Sequence, residues 1–307
     1  MPQVGRSRPI LRLAVLLVVL STGLVVAPFV SAASNTELNI WVSIQPQQWF
    51  AEQLLAGRGA VHVLLEPGES PATYDPSPKR LALLSGADLF FSVGVPFEQT
   101  LLSKLRDMHP ELEIVDSRMG VSLRSMNDHG HDHGHTHGSV DPHFWLDPNA
   151  AAVMADNMAQ ALCHLDSTGC EGYRARLGQI KDSLATIDST VQAMLSQFKG
   201  RRVYVYHAAF GYWCDAYGLE QVPIEVGGKQ PGPRKVAELI TSAREDGVRV
   251  IFVQPQFSME SAETIANELG GTVTAIDPLA DDYPENLIRM AQAVRQGFMA
   301  QGATRDR

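Results

Sequence analysis

Cysteine is scarce in this chain, with three residues in 307, at positions 163, 170 and 214. No CxxC pair is present, which removes thioredoxin-type redox chemistry and thiolate metal ribbons. HExxH is missing too, so no glutamate base stands in the helical setting of a metallopeptidase. Positive charge is in short supply: 25 Lys and Arg face 34 Asp and Glu, for a net charge of −9. Such a balance argues against nucleic acid or an anionic membrane surface as partner and suits a cation. Beyond residue 26 no apolar run is long enough to span a bilayer.

The start of the chain reads as an export signal. Arg6, Arg8 and Arg12 precede an apolar run over 13–26, and small residues at 30–33 offer a cleavage site near Ala32 or Ala33. No cysteine stands there to carry a lipid, so the expected product is a soluble protein of a Gram-negative periplasm. Cys163 and Cys170 flank a short turn-like stretch, and an oxidising compartment lets them close a loop that clips two helices together. Cys214, in an aromatic helical stretch, reads as a buried inert thiol.

Hydrophobic residues make up 45% of the chain, enough for a sizeable core, and the length suggests two lobes. Strand and helix patterns alternate over 38–116 and again over 202–299, the signature of α/β units with parallel sheets. Between the blocks, Tyr173, Leu177, Ile180, Leu184, Ile187, Val191, Met194 and Phe198 advance by fours and threes. They place one apolar stripe along a helix over 171–198, about 42 Å long at 1.5 Å per residue. The expected fold is therefore α/β, two lobes with parallel sheets flanked by helices, bridged by one long rigid helix. Its divisions are a signal peptide at 1–33, an N-terminal lobe at 34–170, the linking helix at 171–198 and a C-terminal lobe at 199–307.

The most distinctive stretch runs from 125 to 149. His129, His131, His133, His135 and His137 alternate with Gly, Asp and Thr, a pattern with no apolar face to bury. A polar loop at 127–138 with five imidazoles is an auxiliary metal collector, since neutral imidazole suits zinc, copper and nickel. His143 follows in DPHFWLDP, where prolines and large apolar residues hold it in place. His207 and Asp277 each stand directly after a predicted strand, where open parallel sheets bind ligands. Two imidazoles and one carboxylate form a set that zinc accepts with a fourth ligand or water. The same outline fits a catalytic zinc, but no general base accompanies it, so no enzyme is expected.

These residues carry a resemblance. DPHFWLDP at 141–148, YHAAFGY at 206–212, GKQPGP at 228–233, FVQPQFS at 252–258 and IDPL at 276–279 occur in the order seen in the metal-binding periplasmic proteins of zinc and manganese ABC transporters. The resemblance spans essentially the whole exported chain. It implies two α/β lobes bridged by a long helix, one metal in the cleft, and delivery of that metal to an inner-membrane ABC permease. Carried over position by position, His143, His207 and Asp277 are the metal ligands. His207 stands where manganese-type relatives tend to have Glu, which favours zinc over manganese. A monomer is expected, with a periplasmic metallochaperone as a further partner. The alternatives are a zinc buffer or adhesin without a transport role, and a paralogue with a degraded site.

One position departs from the pattern. PATYDP at 71–76 is similar to the family's Pro-His-Thr-Tyr-Glu-Pro, so Ala72 replaces a histidine ligand and its methyl group binds no metal. Water, a histidine of the 129–137 loop, Glu69 or Asp75 are the candidates to fill that position, with water or a loop histidine ahead.

Overall fold

A computed structural model describes residues 37–126, 140–225 and 229–302. The export signal with its cleavage site, and the five loop histidines from His129 to His137, lie outside the described residues.

The first sheet consists of β1 (Leu38–Val42), β2 (Gly59–Val63), β3 (Leu89–Ser92) and β4 (Glu113–Asp116), all parallel in the order β2-β1-β3-β4. Every residue of β3 is buried, because helices cover both faces of a central parallel strand. The second sheet repeats the plan with β5 (Arg202–Val205), β6 (Glu220–Pro223), β7 (Val250–Val253) and β8 (Thr272–Ala275), in the order β6-β5-β7-β8. Sequence periodicity places β2 at 61–65, two residues late. The ladder begins where Leu38 pairs Gly59, and a Cβ at Gly59 would lie 2.4 Å from the Leu38 carbonyl oxygen, so this close pairing needs glycine.

The helices are α1 (Gln45–Leu55), α2 (Pro78–Leu83), α3 (Glu98–Met108), α4 (Pro148–Leu165), α5 (Cys170–Leu195), α6 (Gly211–Ala216), α7 (Pro233–Glu245), α8 (Glu260–Glu268) and α9 (Tyr283–Gly302). The long helix is α5, and a 3-10 turn over Ser196–Phe198 carries it to the end of the predicted span. Its stripe is buried at Tyr173, Ile180, Leu184, Ile187, Val191 and Leu195, and the helix packs against α1, α4 and α9. Each such aliphatic side chain contributes about 1.5–3 kcal/mol by leaving water. One continuous core holds residues of both sheets, from Ile40 and Phe90 to Val203 and Val205, and a smaller one gathers Ile251, Leu239 and Ile265 around β7, α7 and α8.

The entry to α5 is fixed twice. Cys163 and Cys170 form a disulfide that closes the turn between α4 and α5. Beside it, Asp166 accepts hydrogen bonds from Arg58 Nη2 at 2.7 Å and from the Tyr173 hydroxyl at 2.7 Å, which ties the turn to the end of α1. Cys214 is fully buried, and burial pushes its thiol far above the ordinary value. No helix among the described residues is long and apolar enough to cross a membrane.

Candidate metal centre

His143 enters the site on a 3-10 turn, Phe144–Leu146, whose three residues are buried. Pro148 opens α4 immediately afterwards, and Asp147 caps that helix by accepting from the Asn149 N–H at 2.9 Å. The turn is anchored across the molecule: Trp145 Nε1 donates to the Pro278 carbonyl at 2.8 Å, and the Tyr283 hydroxyl donates to the Trp145 carbonyl at 2.6 Å. Residues 143–146 are thereby fixed to the segment that follows β8.

Asp141 holds the His143 ring. Its Oδ1 accepts from the His143 backbone N–H at 3.0 Å and pairs with Nδ1 at 2.8 Å, while Oδ2 takes Arg124 Nη1 at 3.1 Å. Burial raises the Asp141 carboxyl, but the bonds from His143 and the Arg124 charge outweigh it and hold the group below its ordinary value. Burial also lowers the His143 pKa, and the carboxylate only partly offsets it. The ring is therefore neutral at pH 7, with Nδ1–H turned to Asp141 and the Nε2 lone pair left for a metal.

His207 stands just past β5. Its backbone is clamped by the Gln254 side chain, which accepts from the His207 N–H at 3.1 Å and donates to its carbonyl at 2.7 Å. The ring stacks on Phe257 with centroids 5.0 Å apart, and its Nδ1 pairs with Glu225, a carboxylate buried at the end of β6. Both imidazoles thus share one design: a carboxylate holds Nδ1 and leaves Nε2 free. Their ring centroids are 5.5 Å apart, and both line a single cavity of about 450 Å³ with Ala72, Arg118, Gln256 and Leu279.

The third predicted ligand is placed differently. Asp277 is half-buried next to this cavity rather than among the residues lining it. Its Oδ1 accepts from Gln256 Nε2 at 3.0 Å and from the Leu279 N–H at 2.9 Å, and Gln256 itself lines the cavity. Among the described residues no three of His, Cys, Asp and Glu converge closely enough to hold a metal together. Of the candidates for the Ala72 position, neither Glu69 nor Asp75 lines the cavity, and Glu69 is engaged with the Glu66 N–H at 3.0 Å. Met126 and Val140, which bracket 127–139, both line the cavity.

Sequence reasoning missed Asp141 and Glu225 as the groups that orient the two rings, and Gln254 and Gln256 as the side chains that set His207 and Asp277. A signal for Glu225 was available, because it follows β6 on the same carboxyl edge that singled out His207.

Two parallel α/β lobes on one long helix, with paired imidazoles in the cavity, define a two-lobed binding protein. The profile of the periplasmic component A of zinc-uptake complexes, ZnuA, matches residues 40–297, and the chain belongs to that family. It is 28% identical over 255 residues to the high-affinity zinc uptake system protein ZnuA of Bacillus subtilis, covering 80% of each chain. Identity to a putative metal-binding protein of Chlamydia muridarum is 26% over 262 residues, covering 84% of this chain and 91% of the relative. A crystal structure of ZnuA superposes with a TM-score of 0.80 at 33% identity, covering 85% of this chain and 99% of the other.

Proposed function

We propose that this protein is the extracytoplasmic zinc-binding component of a zinc-uptake ABC system, capturing the ion between the lobes and presenting it to an inner-membrane permease. The observation that carries this reading is the pair His143 and His207, two imidazoles on one cavity with each Nδ1 held by a carboxylate. Orientation by such partners raises the basicity of the free nitrogen and removes the entropy of finding the right rotamer. Nitrogen ligands and the Irving–Williams order favour zinc over manganese.

Asp277 is the third ligand in this reading, reached once Gln256 releases it, and water fills the position that Ala72 leaves. His129, His131, His133, His135 and His137 collect zinc near the mouth, where a tethered ligand raises local concentration. The signal at 1–33 is cleaved near Ala32 or Ala33. The lobes at 34–170 and 199–307 work as one body with the helix at 171–198, because a continuous core leaves no hinge between them. The protein acts as a monomer, with a periplasmic metallochaperone as a further partner.

Titration of the exported protein with zinc tests the reading. One tight equivalent is expected, lost in His143→Ala and in His207→Ala. Full retention of that equivalent in either variant would sink the assignment, and failure of the wild type to restore zinc uptake in a permease-bearing strain would leave a buffer or adhesin.

A further inference from the structure

Arg124 stands where three segments meet. Its Nη1 donates to Asp141 Oδ2 at 3.1 Å, and both side chains are buried. Asp141 in turn holds the His143 ring through its other oxygen, 2.8 Å from Nδ1. On the opposite side Arg124 faces α6, which begins shortly after His207. Its Nε lies 3.1 Å from Asp215 Oδ2, its backbone N–H donates to the Tyr212 hydroxyl at 2.8 Å, and its guanidinium lies 5.7 Å from the centre of the Tyr212 ring. One side chain of the first lobe thus connects the carboxylate behind one imidazole to the helix that follows the other.

Gly211 makes this contact possible. A Cβ there would stand 1.2 Å from Arg124 Nη1 and 2.8 Å from Asp141 Oδ2, so only the bare backbone of a glycine admits the guanidinium against the first turn of α6. The arginine is also fixed along the chain. Its carbonyl accepts from the Asp141 N–H at 3.0 Å, and Ser125 forms an antiparallel bridge with Val140. Arg124 is therefore tied to Asp141 by backbone and side chain alike, and the pair docks on the second lobe.

We infer that Arg124 is a positioning residue for zinc, a strut across the lobes that holds Asp141 against His143 and keeps the two imidazoles at the separation one ion can bridge. This rests on the zinc-capture reading and adds to it the group that sets how long the ion is retained. The physical reason is the burial of the pair. A buried carboxylate that loses its cation is left with an uncompensated charge, and it turns to other donors instead of holding Nδ1. His143 then regains rotameric freedom, and the segment that carries His207 is no longer tied to the same place. Both changes loosen the bound state, so they act on release more than on capture.

The test measures zinc affinity and zinc release on the whole exported protein, by competition against a chromophoric chelator and by stopped-flow mixing with excess chelator. Arg124→Gln should release zinc about tenfold faster, a difference of about 1.4 kcal/mol, and Arg124→Lys, which keeps the charge but not the fork, should fall between it and the wild type. Asp215→Asn, a change at an exposed carboxylate of the second lobe, should also speed release, by a smaller factor. A merely structural loss would add to any other, whereas Arg124→Gln should add little to an Asp141→Asn variant, because it acts through that carboxylate. If Arg124→Gln does not fold, Arg124→Lys with and without Asp141→Asn gives the same comparison. Wild-type release from the arginine variants, or full additivity with Asp141→Asn, overturns the inference and leaves zinc capture intact. Absence of zinc binding by the wild type overturns both.

Discussion

The ring of His143 stands 5.5 Å from that of His207, centroid to centroid, although the two side chains come from opposite lobes and are 64 positions apart. Their spacing is maintained from behind, by Asp141 on one side and Glu225 on the other. Asp141→Asn and Glu225→Gln should therefore weaken zinc about 10- to 100-fold without abolishing it. Competition against a chromophoric chelator measures this, and wild-type affinity in both variants would show that the carboxylates do not set the rings.

The Ala72 position yields a second prediction. Because Ala72 lines the same cavity as the two histidines, Ala72→His should tighten zinc binding by at least about tenfold. Deletion of 128–137 should leave the tight equivalent in place and remove weaker ones, since ordering about ten backbone residues costs roughly 1–2 kcal/mol each and a water needs none of it. Isothermal titration of the two variants decides between water and a loop histidine: loss of the tight equivalent on deletion, regained with Ala72→His, would identify the loop as donor.

Glu98 provides a pH dependence. Burial pushes its carboxyl from 4.5 up to about 7, against the hydrogen bonds from Ser43, Val93 and Gly94 and the charge of Arg118. A raised pKa means that the folded state binds the proton more tightly than the unfolded one, so the stability it contributes is full below about pH 4.5 and is lost as pH rises through 7. Over that interval the loss is on the order of 3 kcal/mol. Denaturant melts between pH 5 and 8 should show this decline in the wild type and a flatter profile in Glu98→Gln. Equal slopes in the two would contradict it.

The Cys163–Cys170 disulfide closes a short loop, so its removal should cost about 2–3 kcal/mol through the unfolded chain's entropy. The double serine variant measures that loss. Cys214, fully buried with its thiol held protonated, should stay unreactive to thiol reagents until the protein unfolds.

What the sequence reveals depends on range. The α5 stripe is local, so its period of 3.6 is readable directly, and Tyr173, Ile180, Leu184, Ile187 and Val191 are buried as expected. Strand alternation and the positions just past strand ends marked His207 and Asp277 for the same reason. Long-range bonds leave no such trace: Trp145 to Pro278 spans 133 positions and Arg58 to Asp166 spans 108. Nor does the position of Asp277 predict that Gln256 holds its carboxylate, because that depends on how the segment after β7 folds over the one after β8.

If His143 and His207 bind one zinc ion through their Nε2 atoms, anomalous diffraction at the zinc edge from zinc-loaded crystals will show it. One strong peak is predicted in the inter-lobe cavity, about 2.0–2.1 Å from both Nε2 atoms, with Asp277 released from Gln256 and turned toward the ion. A peak elsewhere, or none within ligand distance of both rings, would show that the two histidines do not share the ion.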